Sequence, residues 1–144
     1  MIGDAVLAPS PGDSQTDDPF RLQEDGQIIR KLASVRIGDV LSAEAELRRR
    51  GYSDAELNVA EDAVDPDVLV RRGLVERLSF IPNVDTKRWL LWMAQDEDLD
   101  ARRQAVMMLA TMINSDPRIA AQLRRIQIEE DDPWIRKRLL TILK

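Results

Sequence analysis

Residues 67–78 (DVLVRRGLVERL), 98–109 (DLDARRQAVMML) and 132–143 (DPWIRKRLLTIL) carry one pattern three times. Each copy has an Asp, an aliphatic residue at +3, an Arg at +4 and aliphatic residues at +7 and +11. The sets are Asp67, Val70, Arg71, Leu74 and Leu78; Asp98, Ala101, Arg102, Ala105 and Leu109; and Asp132, Ile135, Arg136, Leu139 and Leu143. The copies start 31 and 34 residues apart (98 − 67 and 132 − 98), a spacing that belongs to stacked helical hairpins. An Asp ahead of the first turn accepts hydrogen bonds from free backbone amides and faces the positive end of the helix dipole, which contributes about 0.5–2 kcal/mol. Asp67, Asp98 and Asp132 are therefore expected N-caps, and Pro133 sits where its missing amide costs nothing. At about 100° per residue the +3, +7 and +11 positions form one narrow stripe, so each helix buries an aliphatic ridge.

Each of these helices is preceded by another start signal. Ser53 with Glu56 spells a capping box before Leu57, Ala60 and Val64. Asp85 precedes Trp89, Leu90, Trp92 and Met93, and Asp116 with Pro117 precedes Ile119, Leu123 and Ile126. Three helix pairs follow, at about residues 53–80, 85–113 and 116–143, with Pro66, Pro82 and Pro117 between helices. Upstream, residues 27–35 and 39–50 read as two more helices, the second stopped by Gly51. They lack the full pattern and are expected to form a divergent first pair, residues 26–51, that caps the stack. Residues 1–25 carry Pro9, Pro11, Pro19, Gly3 and Gly12 with Asp4, Asp13, Asp17 and Asp18, and read as a disordered acidic arm. The expected fold is all-α, a short α-solenoid of stacked antiparallel helix pairs over residues 26–144.

Composition agrees and removes chemistry. The 144 residues are 44% hydrophobic and 33% charged, the balance of a soluble globular domain. There is no Cys and no His, so thiol nucleophiles, disulfides, thiolate metal sites, imidazole bases and Ser-His-Asp triads are excluded. No catalytic residue, metal site or cofactor is expected. The net charge of −5 is uneven: residues 1–65 hold 14 acids and 7 bases, and residues 66–144 hold 12 acids and 14 bases. Asp4 precedes an apolar run of only four residues, Ala5 to Ala8, where a secretory signal needs about 7–15. No window approaches the roughly 18 apolar residues of a membrane helix. A cytoplasmic protein with no membrane contact is expected, in keeping with the missing cysteines.

The Asp, the Arg at +4 and the aliphatic stripe resemble the second helix of a HEAT repeat, over residues 53–144. The resemblance implies a superhelix whose second helices line the concave side. It also implies an internal ladder joining Asp67, Asp98 and Asp132 to Arg71, Arg102 and Arg136. The sequence departs from the pattern at Gly73 and before Ser53.

Read for themselves, the +4 arginines suit either a nucleic-acid ladder or ion pairs with the neighbouring cap Asp. The ion pairs are favoured because both partners repeat together. The +5 residues Arg72, Arg103 and Lys137 have no acidic partner repeating at a fixed offset. They are expected to form either a solvated face or a basic line with steps of about 10 Å, suited to an acidic peptide, an acidic helix or a phosphate backbone. At +9, Glu76, Met107 and Thr141 are uneven, which favours a protein partner.

Asp96, Asp98 and Asp100 have the spacing of half a calcium loop. Ala101 and Met107 stand where that loop needs Gly and Glu, so a charged turn is expected, as at Glu129, Glu130, Asp131 and Asp132. Arg48, Arg49 and Arg50 suit a helix C-terminus without any ligand. Trp89 and Trp92 are expected to cover a joint between helices, and Trp134, at +2, to be an exposed anchor.

The function expected is a non-enzymatic scaffold that binds another protein through Arg72, Arg103, Lys137, Met107 and Trp134, with the acidic arm competing for the basic line. Binding of a nucleic-acid backbone is the alternative, disfavoured by the net charge of −5. Only Lys144 follows Leu143, so the last aliphatic face is expected to support weak self-association through the C-terminal helix.

Overall fold

In the computed structural model, which describes residues 22–144, α-helices follow one another and no strand occurs among the described residues. The helices are α1 Leu22–Arg30, α2 Ile37–Arg49, α3 Asp54–Ala63, α4 Val68–Arg77, α5 Thr86–Met93, α6 Leu99–Ala110, α7 Pro117–Glu129 and α8 Pro133–Ile142. Short 3-10 turns follow α1 at Lys31–Ala33 and α4 at Leu78–Phe80. None of the helices described is long and apolar enough to cross a membrane.

The start signals act as the sequence predicts. The side chains of Ser53, Asp67, Asp85, Asp98, Asp116 and Asp132 each accept a backbone N–H from the first turn of their helix. Gly51 ends α2 with a φ of 100°, a conformation that costs glycine little and a Cβ-bearing residue more. Helices α3 and α4, α5 and α6, and α7 and α8 pack as pairs. The pairs stack so that α3, α5 and α7 form one row and α4, α6 and α8 the other. The aliphatic ridges meet between the rows: Leu74, Leu78, Ala105, Leu109, Ile135 and Leu139 are fully buried, opposite Leu90, Met93, Ile119 and Leu123. Each Leu, Ile or Met among them, removed from water, stabilises the fold by about 1.5–3 kcal/mol.

The first two helices are built differently. α1 and its 3-10 turn pack on α2, and the turn packs on α3. α1 begins at Leu22, so the expected boundary of the arm at residue 25 falls inside a helix; the rest of the arm, residues 1–21, lies outside the described residues. The reason is Asp25, which is only 2% exposed. Its carboxylate accepts hydrogen bonds from the Tyr52 hydroxyl at 2.7 Å and from Arg50 at 2.6 Å, which compensates its burial. The guanidinium of Arg30 lies 5.1 Å from the centre of the Trp92 ring, tying α1 to α5. A Cβ on Gly26 would lie 3.0 Å from Arg30 Nη1, the mobile end of a long side chain, and at an ordinary 3.7 Å from Trp92.

Candidate functional site

The row of second helices carries the residues singled out at +4 and +5, and in the first two copies both sets form ion pairs, with the caps going to +5 rather than +4. Arg71 does not reach the next cap. Its Nε donates to Asp96, two residues before the cap Asp98, at 3.0 Å, and its Nη1 donates to the carbonyls of Asp65 and Pro66 at 2.8 and 3.3 Å. Arg102 repeats this with Glu130 at 3.2 Å and with the carbonyls of Asp96 and Glu97 at 3.0 and 3.2 Å. The caps are taken by the +5 residues. Arg72 forks onto Asp98 at 2.9 and 2.8 Å, and Arg103 onto Asp132 at 3.4 and 3.2 Å. The ladder is therefore shifted by one position, and the +5 cations Arg72 and Arg103 do have a repeating acidic partner. Position +4 lies closer to the buried stripe and reaches the deeper acid; +5 lies further round and reaches the cap.

The acceptors form a turn that also repeats. Asp65, Asp96 and Glu130 each accept the backbone N–H of the cap two residues on, at 2.8, 2.8 and 2.9 Å. The alternating acids at Asp96, Asp98 and Asp100 are used this way: two hold the turn and the cap, and Asp100 lies 3.4 Å from Arg72. Hydrogen bonds from Arg72 hold the Asp98 carboxyl down at about 2, against burial, which acts the other way; Arg72 is pushed up in return. At Asp132 burial raises the carboxyl, but the Ile135 N–H and Arg103 bring the net shift below the usual value.

The last copy of the pattern differs. Arg136 and Lys137 are exposed, and no carboxylate pairs with either among the described residues. Met107 is 49% and Trp134 37% exposed on the same row. The Trp134 ring has the guanidinium of Arg103 at 5.4 Å and that of Arg138 at 5.3 Å from its centre. Trp134 is thus held by cations of two repeats.

The first-helix row contains a contact the sequence pattern misses. Glu56 does not close the expected capping box by bonding back to Ser53. It is buried, accepting the Asp85 N–H at 3.0 Å and the Trp89 indole N–H from the next repeat. The signal available was Trp89 itself, since a fully buried indole N–H needs an acceptor. Trp89 and Trp92, 6.2 Å apart, fill the joint as expected. One repeat on, Lys87 donates to the cap Asp116 at 3.0 Å. The arginines ending α2 are occupied, Arg49 and Arg50 by Glu46, Arg48 by Asp54, and Arg50 also by Asp25 of α1.

Two rows of antiparallel helices, tied from pair to pair by buried ridges and a charged ladder, define an α-solenoid. The family model for HEAT repeats matches residues 54–144, which is α3 to the end of α8 and beyond, and the chain belongs to the HEAT-repeat family. HEAT repeats are generally protein-interaction scaffolds, typically without enzymatic activity. No curated protein and no solved structure matches the chain.

Proposed function

We propose that this chain is a non-enzymatic scaffold that binds another protein through the outer face of the α4–α6–α8 row, the face that a HEAT superhelix makes concave. The supporting observation is the placement of Trp134. Its ring is more than a third exposed while two guanidiniums hold it in position, so it offers apolar area without a large loss of side-chain freedom on binding. Met107 lies on the same face, with Lys137 as an uncompensated cation and the outer parts of Arg72 and Arg103 beside them. The partner that fits is an acidic peptide or helix with an apolar side chain on Trp134 and Met107 and a carboxylate at Lys137. A phosphate backbone fits less well, because Arg72 and Arg103 are already bonded to Asp98 and Asp132. A reducing cytoplasm suits a chain with no cysteine.

The test is affinity capture from the native cell with wild type and with Trp134→Ala combined with Lys137→Glu. Trp134→Ala gives up its two cation–π contacts, so a modest drop in the thermal melt is expected, and a cooperative melt of the double variant checks that it is folded. The proposal expects the captured protein to be lost, with affinity reduced roughly tenfold or more. Equal capture by both chains overturns it.

A further inference from the structure

The two internal junctions of the second-helix row show what a helix there meets on each side. Towards the following repeat, the +4 and +5 cations find the acid and the cap of an acid-x-Asp turn, and the +8 residue is covered: Val75 is 1% and Val106 0% exposed. In α8 the same positions are Arg136, Lys137 and Leu140. All are open, with Leu140 64% exposed. Towards the preceding repeat, the acid-x-Asp turn receives guanidinium groups and the +3 residue is buried, at 1% for Ala101 and 0% for Ile135. In α4 the same places are Asp65, Asp67 and Val70. The Asp65 carboxylate accepts the Asp67 N–H and that of Asp67 accepts the Leu69 N–H, and no cation pairs with either among the described residues. Val70 is only half-buried, and its neighbour Leu69 is 67% exposed. One end of the row shows the cationic half of a junction and the other end the acidic half.

We propose that α8 of one copy docks on the start of α4 of a second copy, repeating between molecules the junctions that join α4 to α6 and α6 to α8. Arg136 reaches Asp65 of the second copy, Lys137 reaches its Asp67, and Leu140 is covered against its α4. The occupant is a second copy because the complementary half-junction, with the same acid-x-Asp spacing, stands unpaired on this same chain. The two surfaces differ, so the contact is head-to-tail and leaves a free surface on each copy for the next rather than closing as a two-fold pair. It is a small contact with charges near its rim, and therefore weak and salt-sensitive. It shares Lys137 with the proposed partner on the outer face, but it uses neither Trp134 nor Met107, so Trp134→Ala should leave this association unchanged while weakening capture of that partner.

Sedimentation of the full chain from micromolar to millimolar concentration tests this with two variants. The tail variant is Arg136→Glu with Lys137→Glu, on exposed positions. The head variant is Asp65→Asn with Asp67→Asn, which removes both charges but keeps side-chain oxygens that accept the same N–H bonds, so the turn and cap persist. Wild type should show a mass that rises with concentration without a plateau at the dimer, and that falls on adding salt. Each variant alone should stay monomeric, and an equal mixture should form dimers that grow no further, since only one productive pairing remains. A wild type that stays monomeric at millimolar concentration overturns the proposal. So does a head variant that associates like wild type, which would mean α8 packing on α8. So does a monomeric wild type whose Asp13→Asn, Asp17→Asn, Asp18→Asn form associates, which would make the acidic arm the occupant of the α8 end.

Discussion

The α3–α8 stack and the α1–α2 pair that meets it, through a 3-10 turn on α3 and Arg30 on Trp92 of α5, are both helical, yet they are held by different means. In the stack each ladder contact is made twice: Arg71 with Asp96 and Arg102 with Glu130, Arg72 with Asp98 and Arg103 with Asp132. The contacts of α1 and α2 occur once each, as with Asp25 on Tyr52 and Arg50, Arg30 on Trp92, and Glu44 beside Glu61. Repetition makes stability a sum over like junctions, so damage to one propagates to its neighbours through the shared ridge. A contact used once fails locally.

Breaking the ladder at its deepest point gives the largest effect. Arg71 and Asp96 side chains are 9% and 6% exposed, and Arg71 also serves two carbonyls, so Arg71→Met leaves the buried Asp96 carboxylate with the Asp98 N–H but no cation, and removes the donor to two carbonyls. A loss of about 3 kcal/mol is expected in a denaturant titration. Arg72→Met, one residue on, removes a fork whose guanidinium side is 41% exposed, and should lose less than about 1 kcal/mol. Equal losses would mean that depth does not separate the two rungs.

The single-use contacts give an intermediate effect with a different distribution. Tyr52→Phe deletes the hydroxyl that donates to buried Asp25, leaving Arg50 as its remaining donor. The expected loss is about 1–2 kcal/mol. Hydrogen exchange should quicken in α1 and α2 while α6 and α8 keep their protection. Uniform loss of protection would make the first pair an integral part of the stack.

A smaller change should strengthen the stack. Gly73 lies within α4, and a Cβ there would meet only Arg77 Nη1, at an ordinary 3.5 Å. Gly73→Ala should therefore stabilise by about 0.5–1 kcal/mol, through the helix and the unfolded chain together.

The caps and ridges of the stack were legible in the sequence because both are local: an Asp at the start and aliphatic residues at +3, +7 and +11 act within one helix. The ladder was read one position off because its partners lie in the next repeat. Arg71 reaches 25 residues ahead and Arg102 28, while Arg72 reaches 26 and Arg103 29. Those separations look irregular along the chain. The repeats themselves start 31 and then 34 residues apart, so the offsets lengthen by the same three residues and the register is constant. Substitution of Glu130 for the Asp found at Asp96 hides the correspondence further. Glu56 was misread for a related reason: its three-residue spacing from Ser53 fits a capping box, but the Trp89 indole and the Asp85 N–H of the next repeat take its carboxylate. In α1 and α2, contacts used once leave no periodic trace.

Acid sharpens the contrast, because the Glu44–Glu61 contact responds with the opposite sign to the ladder, although Glu46 on α2 is held down at about 2 by hydrogen bonds from Arg49 and Arg50, as the ladder acids are by theirs. In the stack, hydrogen bonds from Arg72 hold Asp98 at about 2, and those from Arg118 and Lys87 depress Asp116 further. A carboxyl depressed in the folded chain contributes stability above its unfolded value of about 3.9, and the contribution is lost as pH falls through the folded value. The stack should weaken below about pH 4, and most steeply towards 2. At the contact of α2 with α3, burial raises the Glu61 carboxyl. A hydrogen bond with Glu44 and the charges of Glu44 and Asp62 act in the same direction, and Arg48 opposes them. A raised carboxyl works in reverse: its contribution is full below the unfolded value and is lost as pH rises through the folded one. Mild acidification from neutral pH should therefore slow hydrogen exchange in α2 before the stack responds. Glu61→Gln keeps a donor towards Glu44 without a titrating proton, so it should abolish the α2 response and leave the acid weakening of the stack intact. If α2 in Glu61→Gln still tightens with acid, Glu44 and Glu61 do not share a proton, and the first pair differs from the stack in its geometry alone.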